Sequence, residues 1–302
     1  MNNVMVSVCV LSYNHERYLR QCLDGIFMQK VSFPIEVRVH DDASTDKSQD
    51  IIREYQERYP NVLKPILQSE NQYSKGGGIL AKFLFPLCEG KYIALCEGDD
   101  YWTDPLKLQK QVDFLEGHGD YSMCFHRVGV LGIDDNKFDK FSYLAERDYS
   151  AKEILENWTI PTASVVFKRY VFEKNPVHGY GDIFLWLQLA EKGKLYCMGF
   201  LGAKYRRNEN SITYGFKLNN NLELLKLYKF FKKRFPDLKE TSNRMIDNQI
   251  YYIGNSQYQP GVFKYRLLYM LKHPKLIISG YMTTTLLSYT PLRNFKFWKK
   301  DI

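Results

Sequence analysis

The chain has 302 residues, 45% of them hydrophobic, enough to bury a sizeable core in one large domain or one domain with an appendage. Its net charge of +8 is unevenly placed: residues 203–302 hold 19 Lys/Arg against 6 Asp/Glu, so the first 202 residues are net acidic. An acidic body with a basic end is not the profile of a nucleic-acid domain, where base and phosphate contacts share one surface, so no nucleic-acid partner is expected. The six cysteines show no C-x-x-C pair and no His–Cys spacing suited to zinc, and most lie in apolar runs, as reduced core thiols do in a cytosolic protein.

Residues 4–11 read as a first strand, too short and too soon followed by Ser12-Tyr13-Asn14 for a secretory leader. Residues 16–29 keep Leu19, Leu23, Ile26 and Phe27 on one helical face, and 35–40 read as a second strand. Ser44-Thr45-Asp46 reads as a capping run before a helix over 47–59, with Ile51, Ile52, Tyr55 and Tyr59 at helical spacing. A short strand at 63–67, a helix over 81–88 and a strand at 92–96 continue the series. Such alternation implies right-handed βαβ units: an α/β, Rossmann-like, mainly parallel sheet flanked by helices on both faces. Further strands are expected at 121–130, 163–167 and 194–200, with a helix over 182–192. Beyond Arg206 the chain turns helical, aromatic and basic.

Two pairs of adjacent aspartates stand where apolar runs stop: Asp41-Asp42 after 35–40, and Asp99-Asp100 after 92–96 and Glu97-Gly98. Neighbouring carboxylates repel, so a protein that keeps them together holds something positive or donor-rich against them. At the carboxyl ends of parallel strands that is normally a ligand in the crevice above the sheet. Two such pairs point to one nucleotide site containing a divalent metal.

Four ordered segments carry a family resemblance: Val6-Ser7-Val8-Cys9-Val10-Leu11-Ser12-Tyr13-Asn14, Asp41-Asp42-Ala43-Ser44-Thr45-Asp46, Glu97-Gly98-Asp99-Asp100-Tyr101-Trp102 and Gly181-Asp182-Ile183-Phe184-Leu185-Trp186-Leu187. Over residues 4–213 the chain resembles the family 2 glycosyltransferases, which are inverting, nucleotide-sugar-dependent enzymes of the GT-A fold. The resemblance implies a catalytic domain at 1–213, with a nucleotide-sugar half at about 1–120 and an acceptor half at about 121–213. Residues 214–302 would be a helical basic region, associated with membrane or acceptor.

The resemblance assigns base recognition to Asp42, which also suits its place before a helix; capping is the alternative, for which Ser44 and Asp46 are better placed. Ser12, Tyr13 and Asn14 would edge the same pocket or form an ordinary loop, and Asp41 stands beside Asp42. Asp99 and Asp100 resemble the metal-binding aspartates: Asp100 as ligand of Mn²⁺ or Mg²⁺, Asp99 nearer the ribose or sugar hydroxyls. At Asp182 the resemblance places the catalytic base, although Gly181 stands where relatives have glutamate; an N-cap is the alternative. Arg206, in Tyr205-Arg206-Arg207-Asn208, would pair with the diphosphate or order a loop, or else sit in a solvated basic turn. Lys75, before Gly76-Gly77-Gly78, touches phosphate or belongs to a turn.

The resemblance thus implies sugar transfer from a UDP- or dTDP-sugar to a hydroxyl of a glycan or lipid-linked saccharide acceptor in surface polysaccharide or oligosaccharide synthesis. The expected location is the cytoplasm: the basic amphipathic helix read at 222–234 and the interrupted apolar, basic stretch at 275–300 either place the protein peripherally on the inner membrane face or form a helical subdomain packed on the catalytic core with a solvated basic face. Two rivals are a nucleotidyltransferase and a non-catalytic protein binding membrane or nucleic acid through its basic end. The first would want a glycine-rich basic loop where Ser12-Tyr13-Asn14-His15 stand; the second would not need three carboxylate sites.

Overall fold

The computed structural model describes residues 4–132, 139–175, 180–207, 218–255 and 263–272. The chain divides into two compact units, Met1–Gly215 and Phe216–Ile302.

The first unit opens with β1 (Val6–Ser12), α1 (Leu19–Phe27), β2 (Ile35–Asp41), α2 (Ser48–Arg58), β3 (Leu63–Leu67), β4 (Tyr92–Glu97) and a two-residue β5 (Tyr101–Trp102). It continues with α3 (Lys107–Gly117), β6 (Tyr121–Gly132), β7 (Arg147–Asp148), α4 (Ala151–Asn157), β8 (Val166–Lys168), α5 (Gly181–Lys192) and β9 (Lys194–Arg207). The strands form one sheet in the order β3-β2-β1-β4-β8-β6-β9-β5, with β7 paired to β9.

The first four strands are parallel, as the alternation predicts. The second half is mixed: β8 runs antiparallel to both β4 and β6, whereas β6 and β9 are parallel. β1 and β4 read as near-continuous apolar runs because both faces of a parallel strand are covered, and Val6, Val8, Val10, Ile93 and Ala94 are fully buried. β2 instead alternates, and its polar side is neutralised inside the protein. The Glu36 carboxylate accepts from Ser7 Oγ at 2.6 Å, Lys64 Nζ at 2.9 Å and the Glu89 backbone N–H at 2.8 Å, and it pairs with Arg38.

One local reading is corrected. Residues 80–87 form a π turn (Leu80–Leu84) and a 3₁₀ turn (Phe85–Leu87) instead of a regular helix, because Pro86 has no N–H to donate and fixes its φ. α3 is not among the expected elements: Leu108, Val112 and Leu115 keep helical spacing, but the polar Lys107 and Gln111 share the buried side.

Lys107 is fully buried, donates to Gln111 Oε1 at 2.8 Å and sets its Nζ 4.0 Å from the Trp102 ring centroid. Desolvation pushes its pKa down to about 7. The folded state therefore holds fewer protons than the unfolded chain between about pH 7 and 10.5. Stability is expected to rise over that window, by at most about 1.4 kcal/mol per pH unit. Lys107→Met should flatten the slope of melting temperature against pH between about 8 and 10; an unchanged slope would place the titrating group elsewhere.

The second unit contains α6 (Leu218–Arg234), α7 (Lys239–Asn255) and α8 (Phe263–Lys272), with Pro236 opening a 3₁₀ turn between the first two. Leu227, Tyr228 and Phe231 of α6 and Ile246, Ile250 and Ile253 of α7 are buried, so the basic helix read at 222–234 is amphipathic as expected. Asn208 and the basic, apolar stretch read at 275–300 lie outside the described residues. Among the described residues, no helix is long and apolar enough to cross a membrane.

Candidate active site

Strand register gathers the acidic residues at one edge. Ser12 lies opposite Asp41, and Leu11 opposite Glu97, so the ends of β1, β2 and β4 are adjacent rungs. The chain turns from one side of β1 to the other between β2 and β4, the switch point where open α/β sheets bind ligands.

The first aspartate pair splits into two tasks. Asp41 is fully buried and spent on its own turn: it accepts from the Ser44 backbone N–H at 2.9 Å, from Ser44 Oγ, and from Gln49 Nε2 at 2.9 Å. Asp42 reaches outward, accepting from the backbone N–H groups of Gln72 at 2.7 Å and Tyr73 at 2.9 Å. These bonds use two of the roughly four lone-pair sites of a carboxylate and leave capacity for a further donor. The donor-rich surroundings that the sequence demands for this pair are thus partly the protein's own backbone. Capping of α2 belongs to Asp46, whose Oδ1 accepts from the Ser48 backbone N–H at 2.9 Å.

Around them the backbone is constrained. Asn14 (φ 56°) and Ala43 (φ 63°) both take left-handed conformations, and Asn14 is tied to the α2 loop through the Thr45 N–H and Ser44 Oγ. Asn14 is therefore a turn residue here, while Tyr13 beside it is 47% exposed over the strand ends.

Glu97, Asp99 and Asp100 form the second cluster, with carboxylate oxygens all within 4.8 Å of one another. Asp100 is fully buried: one oxygen accepts from the Arg206 backbone N–H at 2.8 Å and Oδ2 has no partner. Burial, then the charges of Asp99 and Glu97, raise its pKa well above the usual range. Burial, then Asp99 and Asp182, push Glu97 up to about 8. Three hard oxygen donors, one of them buried and unsatisfied, fit a divalent cation such as Mg²⁺ or Mn²⁺. Glu97 is absent from the sequence-based site; its signal was its position two residues before the aspartate pair.

Asp182 sits in the first turn of α5, half-buried, and burial raises its pKa while N–H groups of the turn oppose that shift. Its charge acts on Glu97, Tyr73 and Tyr180, so the start of α5 lies near the strand-end carboxylates, at the same crevice. Neither Tyr73 nor Tyr180 carries a sequence signal.

Arg206 stands at this crevice but is already engaged. Its guanidinium lies between the rings of Tyr18 and Tyr101, with centroids at 4.9 and 4.5 Å, and donates to the Asp99 carbonyl and to Gln21. It fastens the acidic loop to β9. Lys75 is exposed and pairs with Glu70, and Gly76, Gly77 and Gly78 after it all have positive φ. Ser12 Oγ and His15 Nδ1 are buried without partners beside the strand ends. Buried polar atoms of this kind are normally paired, so their collection here marks a ligand-binding edge.

Comparison with known proteins agrees with this geometry. The profile described as Glycosyl transferase family 2 matches residues 7–175. The uncharacterized protein Rv1520 of Mycobacterium tuberculosis is 37% identical over 249 residues, 80% of this chain and 68% of its own length. An Escherichia coli relative, described as the UDP-Glc:alpha-D-GlcNAc-diphosphoundecaprenol beta-1,3-glucosyltransferase WfgD, is 24% identical over 70% of this chain and 81% of its own. Among solved structures, Staphylococcus aureus TarS 1–349 in complex with UDP-GlcNAc superposes with a TM-score of 0.59 at 17% identity, over 85% of this chain and 68% of that one. With a GT-A sheet, an acidic strand-end site and these matches, the chain belongs to glycosyltransferase family 2.

Proposed function

We propose that the protein is a metal-dependent inverting glycosyltransferase that moves a sugar from a UDP- or dTDP-activated donor to a hydroxyl of a lipid-linked or growing surface glycan. The observation that carries the reading is the convergence of three carboxylate groups on one crevice. The backbone of Tyr73 holds Asp42, while its phenol feels the charge of Asp182, and Glu97 feels both Asp99 and Asp182. The descriptions of WfgD and of the TarS complex support a UDP-linked donor and, for WfgD, a lipid-linked acceptor.

Each residue then has a task. Asp42 accepts the imide N–H of a uracil or thymine, and the exposed Tyr13 ring offers a face to the base. Asp99, Asp100 and Glu97 hold the cation, which when bound neutralises the diphosphate. Arg206 keeps this acidic loop against β9. Asp182 takes the proton from the acceptor hydroxyl as its oxygen bonds to the sugar C1, and the bond from C1 to the phosphate oxygen breaks on the opposite side. The nucleoside diphosphate leaves with the electron pair. The raised pKa of Asp182 makes it a stronger base than an exposed aspartate.

A panel of sugar nucleotides, each with Mn²⁺ or Mg²⁺, tests the reading by thermal stabilisation. The true donor at 100 times its dissociation constant should add about 2.7 kcal/mol, roughly 5–10 °C for a unit of this size. If no sugar nucleotide shifts the transition in either metal, the protein is not this enzyme.

The second unit supports docking on the anionic inner face of a membrane. α7 and α8 leave Tyr252, Leu268 and Leu271 exposed, the last at 68%, with Lys264 and Lys272 on the same short helix as the leucines. The full chain is expected to float with liposomes rich in anionic lipid, and Leu268→Glu with Leu271→Glu to reduce binding about tenfold or more. Equal flotation of the two proteins would remove this surface from the argument.

A further inference from the structure

An aromatic pair stands beside Asp182 with no task in the scheme above. Trp158 ends α4 and Tyr180 precedes α5, yet their rings meet edge to face with centroids 5.6 Å apart at 87°. Both residues adopt left-handed backbone, φ 50°, a conformation that bulky side chains rarely take and that survives where the surroundings impose it, commonly at binding sites. Both rings are half-buried, so part of each stays accessible. Thr159, next to Trp158, is 8% exposed and its Oγ1 has no hydrogen-bond partner. The Tyr180 phenol lies close enough to Asp182 for the carboxylate charge to act on it.

Such a wall suits one class of ligand. A pyranose has a face of axial C–H groups that packs on an aromatic ring and a rim of hydroxyls that needs polar partners. Here the rings are offered by Trp158 and Tyr180, and a polar partner by the half-buried Asp182. The Tyr180 phenol lies within electrostatic reach of both Tyr73, whose N–H bonds Asp42, and Asp182. Trp158 closes α4, in the second half of the unit, and reading Asp182 as the base assigns the pair to the acceptor.

We infer that Trp158 and Tyr180 form the platform for the acceptor sugar, one pyranose lying against the pair with its attacking hydroxyl delivered to Asp182. The inference rests on reading Asp182 as the base. It implies acceptors whose terminal residue has an unbroken C–H face, as gluco-configured sugars do.

The test is saturation-transfer NMR on the full chain with methyl β-D-glucopyranoside and methyl N-acetyl-β-D-glucosaminide, alongside titrations of UDP and UDP-sugars in Mn²⁺. The expected result is strongest transfer to the ring C–H protons. Trp158→Ala and Tyr180→Ala should each weaken the glycosides at least about tenfold, while Tyr180→Phe keeps them and UDP affinity stays constant throughout. Trp158→Gly guards against misfolding as the cause, because glycine accepts the left-handed backbone: its UDP affinity should hold while glycoside contact is lost. Glycoside binding unchanged in the alanine variants, or absent from the native chain, overturns the platform. So does a fall in UDP-sugar affinity with UDP affinity intact, which would assign the pair to the donor. Failure of the native chain to bind either UDP or dTDP would instead sink the transferase reading, so the two failures are distinguishable.

Discussion

Asp182→Asn is expected to abolish sugar transfer while leaving donor affinity nearly intact. The substitution is isosteric, and an amide oxygen can still accept from the Ile183 N–H that now bonds the carboxylate, so α5 keeps its start. What disappears is the capacity to take a proton. A positioned general base contributes typically 10²–10⁴-fold, and loss confined to turnover is the signature of an interaction used only in the transition state. Steady-state kinetics with the donor identified by thermal shift, paired with calorimetric donor titration, separates the two quantities. Near-normal turnover in Asp182→Asn would mean that the base lies elsewhere.

The opposite split is expected for Asp100. Asp100→Asn retains an acceptor for the Arg206 N–H, so the acidic loop stays attached to β9, but it removes a charge from the proposed cation site. Metal-dependent binding of the sugar nucleotide should fall about 100-fold or more, since even indirect partners of a metal are worth 10–100-fold. Asp100→Ala should be worse, because it also strands a buried N–H. Binding should also depend on pH. With Glu97 pushed up to about 8 and burial moving Asp100 in the same direction, the metal-free cluster holds carboxyl protons at mildly acidic pH. A cation must displace those protons, so its affinity rises with pH between about 6 and 8 and uptake releases protons. Calorimetry in two buffers of different ionisation enthalpy measures that release. Metal-dependent binding that is flat with pH and insensitive to Asp100→Asn would remove the cluster from the metal site.

Much of this architecture is legible in the chain because buried parallel strands are locally written. Runs such as Val6–Ser12 and Tyr92–Glu97 are apolar throughout because both of their faces are covered, and the helices between them keep one apolar stripe. Strand ends are equally visible, since the first acidic residue after each run marks where the sheet stops. That brings out the pairs Asp41-Asp42 and Asp99-Asp100 as strand-end residues, whereas Asp182, at the start of α5, is reached through the family resemblance.

What the chain alone leaves open is settled by long-range packing. The antiparallel β8 is three residues long, and its direction depends on its neighbours β4 and β6, not on its own composition. Asp41 and Asp42 are chemically identical neighbours; only the fold spends one on Ser44 and Gln49 and turns the other toward Tyr73. Arg206 looks free in the sequence but is clamped between Tyr18 and Tyr101, one near the start of the unit and the other near its middle. Glu97, Tyr73 and Tyr180, far apart in the sequence, come within reach of the Asp182 charge only because the chain folds back on itself. The physical reason is common to all of these: periodicity reports which face of an element is covered, whereas a side chain's partner, and so its charge and role, is fixed by segments that meet only after the sheet has closed.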